Sequence, residues 1–322
     1  MDRPRTDFSG ESHGFWSRFQ SAFAEQGFPV SGVTDYEPAR ALYAAHAGRY
    51  RRWVEAGKHG DMGYLQRGLD RRLDPKLVFP ALESVITVLR PYSPHPVGDE
   101  AIRYARYLNG PDYHTEMKTA LEKAFSRLGE SGDLPAGFDF KICVDTSAVL
   151  ERTWAALTGL GWIGKNTLLI HPQLGSYVFI GVVFTNHRFN SKPVLLRDYC
   201  GPCTRCLSAC PTEALAEHDL DSRKCISYLT LEKRGDWDRA WDTKGFVAGC
   251  DLCQEVCPYN TKAVRRAPVP VMADHLLTDP GKLEVETEEE YRKRVGGTAL
   301  ERVKFRDFRR NWAATPSSVR KG

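Results

Sequence analysis

Four of the nine cysteines fall in one run of twelve residues, Cys200-x2-Cys203-x2-Cys206-x3-Cys210-Pro211. This is the bacterial ferredoxin spacing, in which three thiolates on a tight loop reach one cluster and the fourth, followed by proline, reaches a second. A further set follows at Cys250-x2-Cys253-x3-Cys257-Pro258, with Cys225 between the two, so eight thiolates stand ready for two 4Fe-4S clusters. Exchange of the fourth ligand assigns Cys200, Cys203, Cys206 and Cys257 to one cluster and Cys210, Cys225, Cys250 and Cys253 to the other. Zinc also favours four thiolates, but a zinc knuckle does not need this run twice. Two neighbouring clusters make an electron wire, and the rest of the chain should hold the centre where the electrons are spent. The ninth thiol, Cys143, reads as a small buried hydrophobe.

Further groups with chemical potential lie upstream. Asp145 ends a strand-like stretch, "FDFKICVD", where side chains of layered domains converge on ligands, although position alone favours a turn or cap residue. Thr146 and Ser147 are candidate caps for the helix through Glu151, Arg152 and Trp154. "GLGWIGKN", Gly159 to Asn166, supplies glycines whose backbone could approach a ligand and a lysine to add charge, yet it matches neither a dinucleotide fingerprint nor a P-loop. Arginines alternate with rings at "RYRRW" (Arg49 to Trp53) and "VKFRDFRRNW" (Val303 to Trp312). Such clusters suit phosphates and stacked bases, or else form helix faces that cover their own core.

The elements that must position these groups follow from periodicity. Residues 15–60 read as helical, "VITVL" and "YVFIGVVFT" as buried strands, and Met117, Leu121, Ala124, Phe125 and Leu128 as one face of a helix behind "DYH", with Asp112 as its cap. The expected class is therefore α/β or α+β over 1–190, a ferredoxin-like unit over 191–265, and a basic helical segment over 266–322 that packs back on the core. With 322 residues, 42% hydrophobic content and a net charge of +4, the chain reads as an ordinary globular protein, too mildly basic for charge alone to name a nucleic-acid partner. The polar N-terminus has no apolar stretch of a secretory signal and no run is long enough for a membrane span, so a cytoplasmic monomer is expected.

Taken jointly, "HGDMGYL", "RYARYLNGPDYH", "VDTSAVLERTWAALTGLGWIGKNTLLI", "GSYVFIG", "CGPCTRCLSACPTEAL" and "GCDLCQEVCPYN" resemble the cobalamin-dependent epoxyqueuosine reductases from about residue 15 to "FRRNW". The resemblance implies an α/β domain of the nitroreductase and reductive-dehalogenase type holding a base-off cobalamin, beside a domain with two 4Fe-4S clusters. It implies reduction of the epoxide of epoxyqueuosine at the tRNA wobble position, on the anticodon stem-loop, to queuosine, with electrons from an external low-potential donor. Asp145 matches the aspartate of the family's "VDT" motif and becomes the expected proton donor, with a pKa raised by burial. Tyr64, Tyr113, His114, Gly164, Lys165 and Asn166 are the expected walls of the cobalamin and substrate pocket. "DYHTEM" resembles the start of the Asp-x-His-x-x-Gly motif of cobalamin mutases, but Met117 replaces the glycine, so His114 is not read as a cobalt ligand. Some members carry a further helical-repeat domain; here the tRNA contacts are expected from the core and its basic tail. A reductive dehalogenase, a plain electron carrier and a zinc-stabilised RNA-binding protein are the rival readings.

Overall fold

A computed structural model describes residues 10–98, 102–264 and 272–315. Its centre is a four-stranded sheet of β1 (Val30–Asp35), β2 (Ser84–Pro91), β3 (Phe140–Cys143) and β4 (Val178–Thr185), in the order β1-β2-β4-β3 with every neighbouring pair antiparallel. Alternate residues of the central strands enter two different cores, because successive side chains of a strand point to opposite faces. Ile86, Val88 and Val183 meet Trp16, Phe19 and Phe23 of α1 (Gly10–Glu25) and Met117, Leu121 and Phe125 of α3 (Tyr113–Glu130). Val85, Val182 and Phe184 meet Tyr43 of α2 (Tyr36–Glu55) and Trp154 of α4 (Glu151–Leu157). Burial on both faces explains why "VITVL" and "YVFIGVVFT" are unbroken apolar runs rather than alternating ones. Each large side chain so buried contributes roughly 1.5–3 kcal/mol relative to exposure.

The helical expectation for 15–60 misses β1. Its sequence, Val-Ser-Gly-Val-Thr-Asp, alternates too weakly to announce a strand, and only pairing with β2 makes it one. Gly32 has a specific task there, since a Cβ at that position would stand 2.4 Å from the carbonyl oxygen of Thr158.

The cysteine-rich stretch is built from short pieces, helices Arg205–Ser208, Ile226–Leu231 and Leu252–Glu255 and a small hairpin pairing Leu215–Ala216 with Asp219–Leu220. Strand Phe246–Ala248 runs parallel to Arg103–Tyr104 and ties this stretch to the first half of the chain. A third core collects Tyr104, Leu108, Val247 and Ala248 with Leu283, Tyr291, Leu300, Phe308 and Trp312 from the C-terminal helices. The last of these, α5 (Phe305–Ala313), buries Phe308 and Trp312. Arg265 and Arg266 of "KAVRRAP" lie outside the described residues. Among the described residues no helix is long and apolar enough to cross a membrane.

Candidate active site and cluster-binding thiols

Past the end of β3 the chain turns sharply, and Asp145 takes a left-handed backbone with φ of 47°. Its backbone N–H donates to the Glu151 carboxylate at the start of α4. Its side chain meets the other end of the site, with Asp145 Oδ2 2.9 Å from His114 Nε2. His114 Nδ1 in turn lies 2.5 Å from Asp112 Oδ1, which also accepts the His114 backbone N–H and so caps α3. Tyr113 completes the group: its ring stacks on His114 and Phe179, with centroids 4.0 and 4.3 Å apart, and its hydroxyl bonds Asp145. The expected caps do not form, because Thr146 Oγ1 turns back to the Val144 carbonyl and the N-cap position falls on Leu150 without a side-chain bond.

Electrostatics here reverse the sequence expectation for Asp145. Burial pushes its pKa up and is the largest single influence, but the His114 hydrogen bond and charge, the Arg302 charge and the Tyr113 hydroxyl together hold the carboxyl below the usual range. Burial works against a charged His114, and its bonds to Asp145 and Asp112 overcome that, leaving its pKa above the ordinary histidine value. The two opposite shifts favour the proton on the imidazole of His114 over the carboxylate of Asp145. Glu151 is pushed the other way, well above the usual carboxylate range, by burial and then by the neighbouring Asp145 charge.

Asp145 keeps 47% of its side chain accessible while burial remains the largest single influence on it, which places it at the floor of an open cleft. Tyr64, 43% exposed, stands at the rim, and its hydroxyl takes a hydrogen bond from Arg302. Arg302 also pairs with Glu232, so the C-terminal and cysteine-rich stretches both reach this cleft. Arg302 and Glu232 were not singled out from the sequence; they arrive from distant positions, and no local spacing announces them. A groove of about 450 Å³ borders the Asp145 loop, lined by His114, Lys118, Ile142, Val144, Thr146 and Ser147 among others.

Gly164, Lys165 and Asn166 fall elsewhere, against the Cys200 thiol. The Lys165 backbone N–H points to the Cys200 sulfur, its ammonium pairs with Glu217 at 2.8 Å, and Asn166 Oδ1 accepts from Leu168 N at 3.3 Å. A Cβ at Gly164 would meet Ile170 Cδ1 at 2.5 Å, so this glycine serves packing. The loop joins the Asp145 neighbourhood through Arg152, whose Nη1 donates to the Thr167 carbonyl at 2.6 Å.

All nine cysteines are free, and Cys143, the last residue of β3, is buried in the core with Tyr43 and Trp154. The other eight gather in two groups. Cys257 feels the charges of Cys200 and Cys203, and Cys206 those of Cys200 and Cys257, whereas Cys225, Cys250 and Cys253 feel one another or Cys210. Cys253 also feels Cys206, so the groups adjoin. N–H donors aim at the sulfurs: Trp162 Nε1 at Cys200 over 3.5 Å, Ala214 N at Cys210 over 3.4 Å, and backbone groups of Leu252 and Asn260 at Cys250 and Cys257. Such bonds stabilise sulfur-borne negative charge and tune a cluster's potential. Among the described residues no three ligating side chains close in on a single ion; a cubane asks for a wider cage, one thiolate to each iron.

Comparison with known proteins follows the same division. Residues 72–146 match the family described as epoxyqueuosine reductase QueG, DUF1730, and residues 199–260 match the 4Fe-4S double cluster binding domain. The epoxyqueuosine reductase of Leadbetterella byssophila is 33% identical over 293 residues, covering 90% of this chain and 94% of the relative. That of Pseudomonas aeruginosa is 34% identical over 315 residues, covering 92% and 84%. The structure of epoxyqueuosine reductase from Streptococcus thermophilus aligns with a TM-score of 0.78 at 27% identity, covering 93% of this chain and 80% of that one. An epoxyqueuosine reductase crystallised with an epoxyqueuosine-modified tRNA-Tyr stem loop shares the fold, with a TM-score of 0.76 at 24% identity over 94% and 81%.

A layered domain with an acid–imidazole chain, joined to a double-cluster domain, defines an iron–sulfur oxidoreductase. The chain belongs to the epoxyqueuosine reductase family, whose reaction takes epoxyqueuosine to queuosine in tRNA modification.

Proposed function

We propose that this chain reduces epoxyqueuosine at the wobble position of tRNA, drawing electrons through two 4Fe-4S clusters to a base-off cobalamin, with Asp145 delivering the proton to the epoxide oxygen. The observation that carries the proton step is the Asp112–His114–Asp145 chain at the floor of the cleft. Opening the epoxide to an alkene breaks two C–O bonds, forms a C=C bond and releases water, so it consumes two electrons and two protons. No side chain supplies electrons at low potential, and a cofactor must.

The residues fit both groups. Eight free thiols in two adjoining sets, with N–H groups aimed at their sulfurs, suit two cubanes, ligated by Cys200, Cys203, Cys206 and Cys257 and by Cys210, Cys225, Cys250 and Cys253. The half-exposed Tyr64 ring and the packed rings of Tyr107, Tyr113 and Phe179, grouped about Asp145, suit a large flat ligand. Both nitrogens of His114 already have partners, so the chain offers no histidine there to cobalt, in keeping with the departure at Met117. When bound, cobalamin would supply a strongly reducing centre for the two-electron step.

The chain's own residues then have separate tasks. His114 stores the proton, Asp145 passes it to the oxygen as the C–O bond breaks, and Asp112 fixes the tautomer and orientation of the ring. Glu151 anchors the Asp145 backbone in its left-handed turn. Arg302 lowers the proton affinity of Asp145 and, by its bonds to Tyr64 and Glu232, ties the cleft to the cluster side.

The test is Asp145→Asn, which keeps size and hydrogen bonding but cannot pass a proton as a carboxyl does. Expected are unchanged iron content and cobalamin binding with turnover down by about 10²–10⁴. In the parent enzyme, turnover should fall as pH rises through the raised His114 pKa, above the ordinary ~6.5, because the stored proton is then lost. His114→Gln should abolish that limb. Full activity in Asp145→Asn would remove it as the donor.

A further inference from the structure

We propose that the surface over the Cys200–Cys206 loop is the docking face for a small, acidic, low-potential electron carrier. This rests on the reading that the thiols beneath it hold a cluster. The loop is at the surface, with Gly201, Pro202, Thr204 and Arg205 exposed. The Cys250 and Cys253 region is the opposite: Phe246, Val247 and Ala248 are fully buried and Asp251 is 1% exposed. Electrons therefore have a short way in at the first thiol set and a protein-covered path beyond it.

The rim has the composition a transient redox partner needs. Leu195, 53% exposed, offers a small apolar contact beside the loop. Arg197, Arg205 and Lys262 are exposed, and among the described residues none makes an ion pair. Of the nearby carboxylates, Glu217 pairs with Lys165 at 2.8 Å and Asp198 contacts the His218 ring at 3.2 Å, so the three exposed cations outnumber the one carboxylate here that has no permanently charged partner. Arg197 lies over the Tyr199 ring at 4.7 Å, Tyr199 and Tyr259 flank Trp162 at 5.2 and 4.7 Å, and the Trp162 indole donates to the Cys200 sulfur. A continuous band of rings thus connects the charged rim to a cluster ligand. Electron-transfer contacts are small and short-lived, and opposite charge sets their encounter rate. Anionic RNA is also drawn to cations, but the redox centre directly beneath favours a carrier here. Each visit moves one electron: the carrier is oxidised by one and a cluster goes from the 2+ to the 1+ state. Two visits meet the demand of one epoxide.

The test uses cluster-loaded protein and a photoreduced flavodoxin of strongly negative net charge, following loss of the clusters' visible absorbance in stopped flow. The parent rate should be high at low salt and fall steeply as ionic strength rises. The triple variant Arg197→Glu, Arg205→Glu, Lys262→Glu should be slower by about tenfold or more at low salt, with a flattened or inverted salt dependence. Photoreduced 5-deazaflavin, small and uncharged, should reduce both proteins alike, showing intact clusters. If the triple variant loads less iron, Arg205→Gln and Lys262→Gln are compared singly at equal iron content, each expected about two- to threefold slower. Parent-like rates and salt dependence would overturn the proposal. So would weakened tRNA binding with flavodoxin reduction untouched, which would make the patch an RNA surface. Parent protein that takes up no iron would remove the cluster reading itself, an outcome the iron assay separates from a failure of docking.

Discussion

The segments Arg49–Trp53 and Val303–Trp312 are near twins in composition, arginines interleaved with rings, and the fold uses them in opposite ways. In α5, Arg310 donates to the carbonyls of Leu229, Lys233 and Gly235 and lies over the Trp237 ring at 4.8 Å. Arg309 bonds the Leu283 carbonyl, Arg306 pairs with Asp236, and Trp312 is 1% exposed with its indole on Glu284. In α2, Arg49, Arg51 and Arg52 are exposed; Arg49 contacts His46, and among the described residues none of the three makes an ion pair. Of the two readings that the sequence leaves open for "FRRNW", the structure fits the helix face that covers its own core, because both guanidinium groups bond backbone carbonyls that would otherwise be stranded. The lesson is that a basic–aromatic run is available to phosphate only where the fold leaves its donors unmet.

The largest effects that could break this contrast are on stability. Trp312→Ala should cost about 3–5 kcal/mol and Arg310→Ala about 1–3 kcal/mol, read as denaturation midpoints of cluster-loaded protein. If Arg310→Ala leaves stability alone and weakens tRNA binding instead, the two segments are alike after all. A smaller and opposite pattern is expected in α2. Arg51→Glu with Arg52→Glu should shift stability by no more than about 0.5 kcal/mol. It should still weaken binding of a tRNA anticodon stem-loop, flattening the slope of log affinity against log salt by about one for each phosphate that the protein no longer neutralises. Arg309→Glu should leave that slope unchanged. An unaltered slope in the α2 variant would show that its free arginines are merely solvated.

What the sequence made legible was local. The cysteine runs, the α3 periodicity and the "VITVL" strand each state their structure within a few residues, because a loop ligand set, a 3.6 period and a doubly buried strand are short-range patterns. Asp112 as a cap followed from the same logic and is seen. The misses are tertiary. β1 is a strand because β2 pairs with it. Arg302 reaches Asp145 across more than 150 positions, and Arg310 finds its carbonyls some 80 residues away. Asp145 itself was legible as a residue of interest, but not the sign of its pKa shift. Burial alone argues upward, and only the placement of His114 at 2.9 Å, with Arg302 beyond it, turns the balance downward.

The most direct measurement is an anaerobic assay with cluster-loaded protein, cobalamin, a strong reductant and tRNA carrying epoxyqueuosine, with the digested nucleosides resolved by mass spectrometry. The proposed function predicts conversion to a nucleoside lighter by one oxygen, only when cobalamin is present and strongly diminished in Asp145→Asn. No conversion, with iron content and cobalamin binding verified on the same sample, would contradict it.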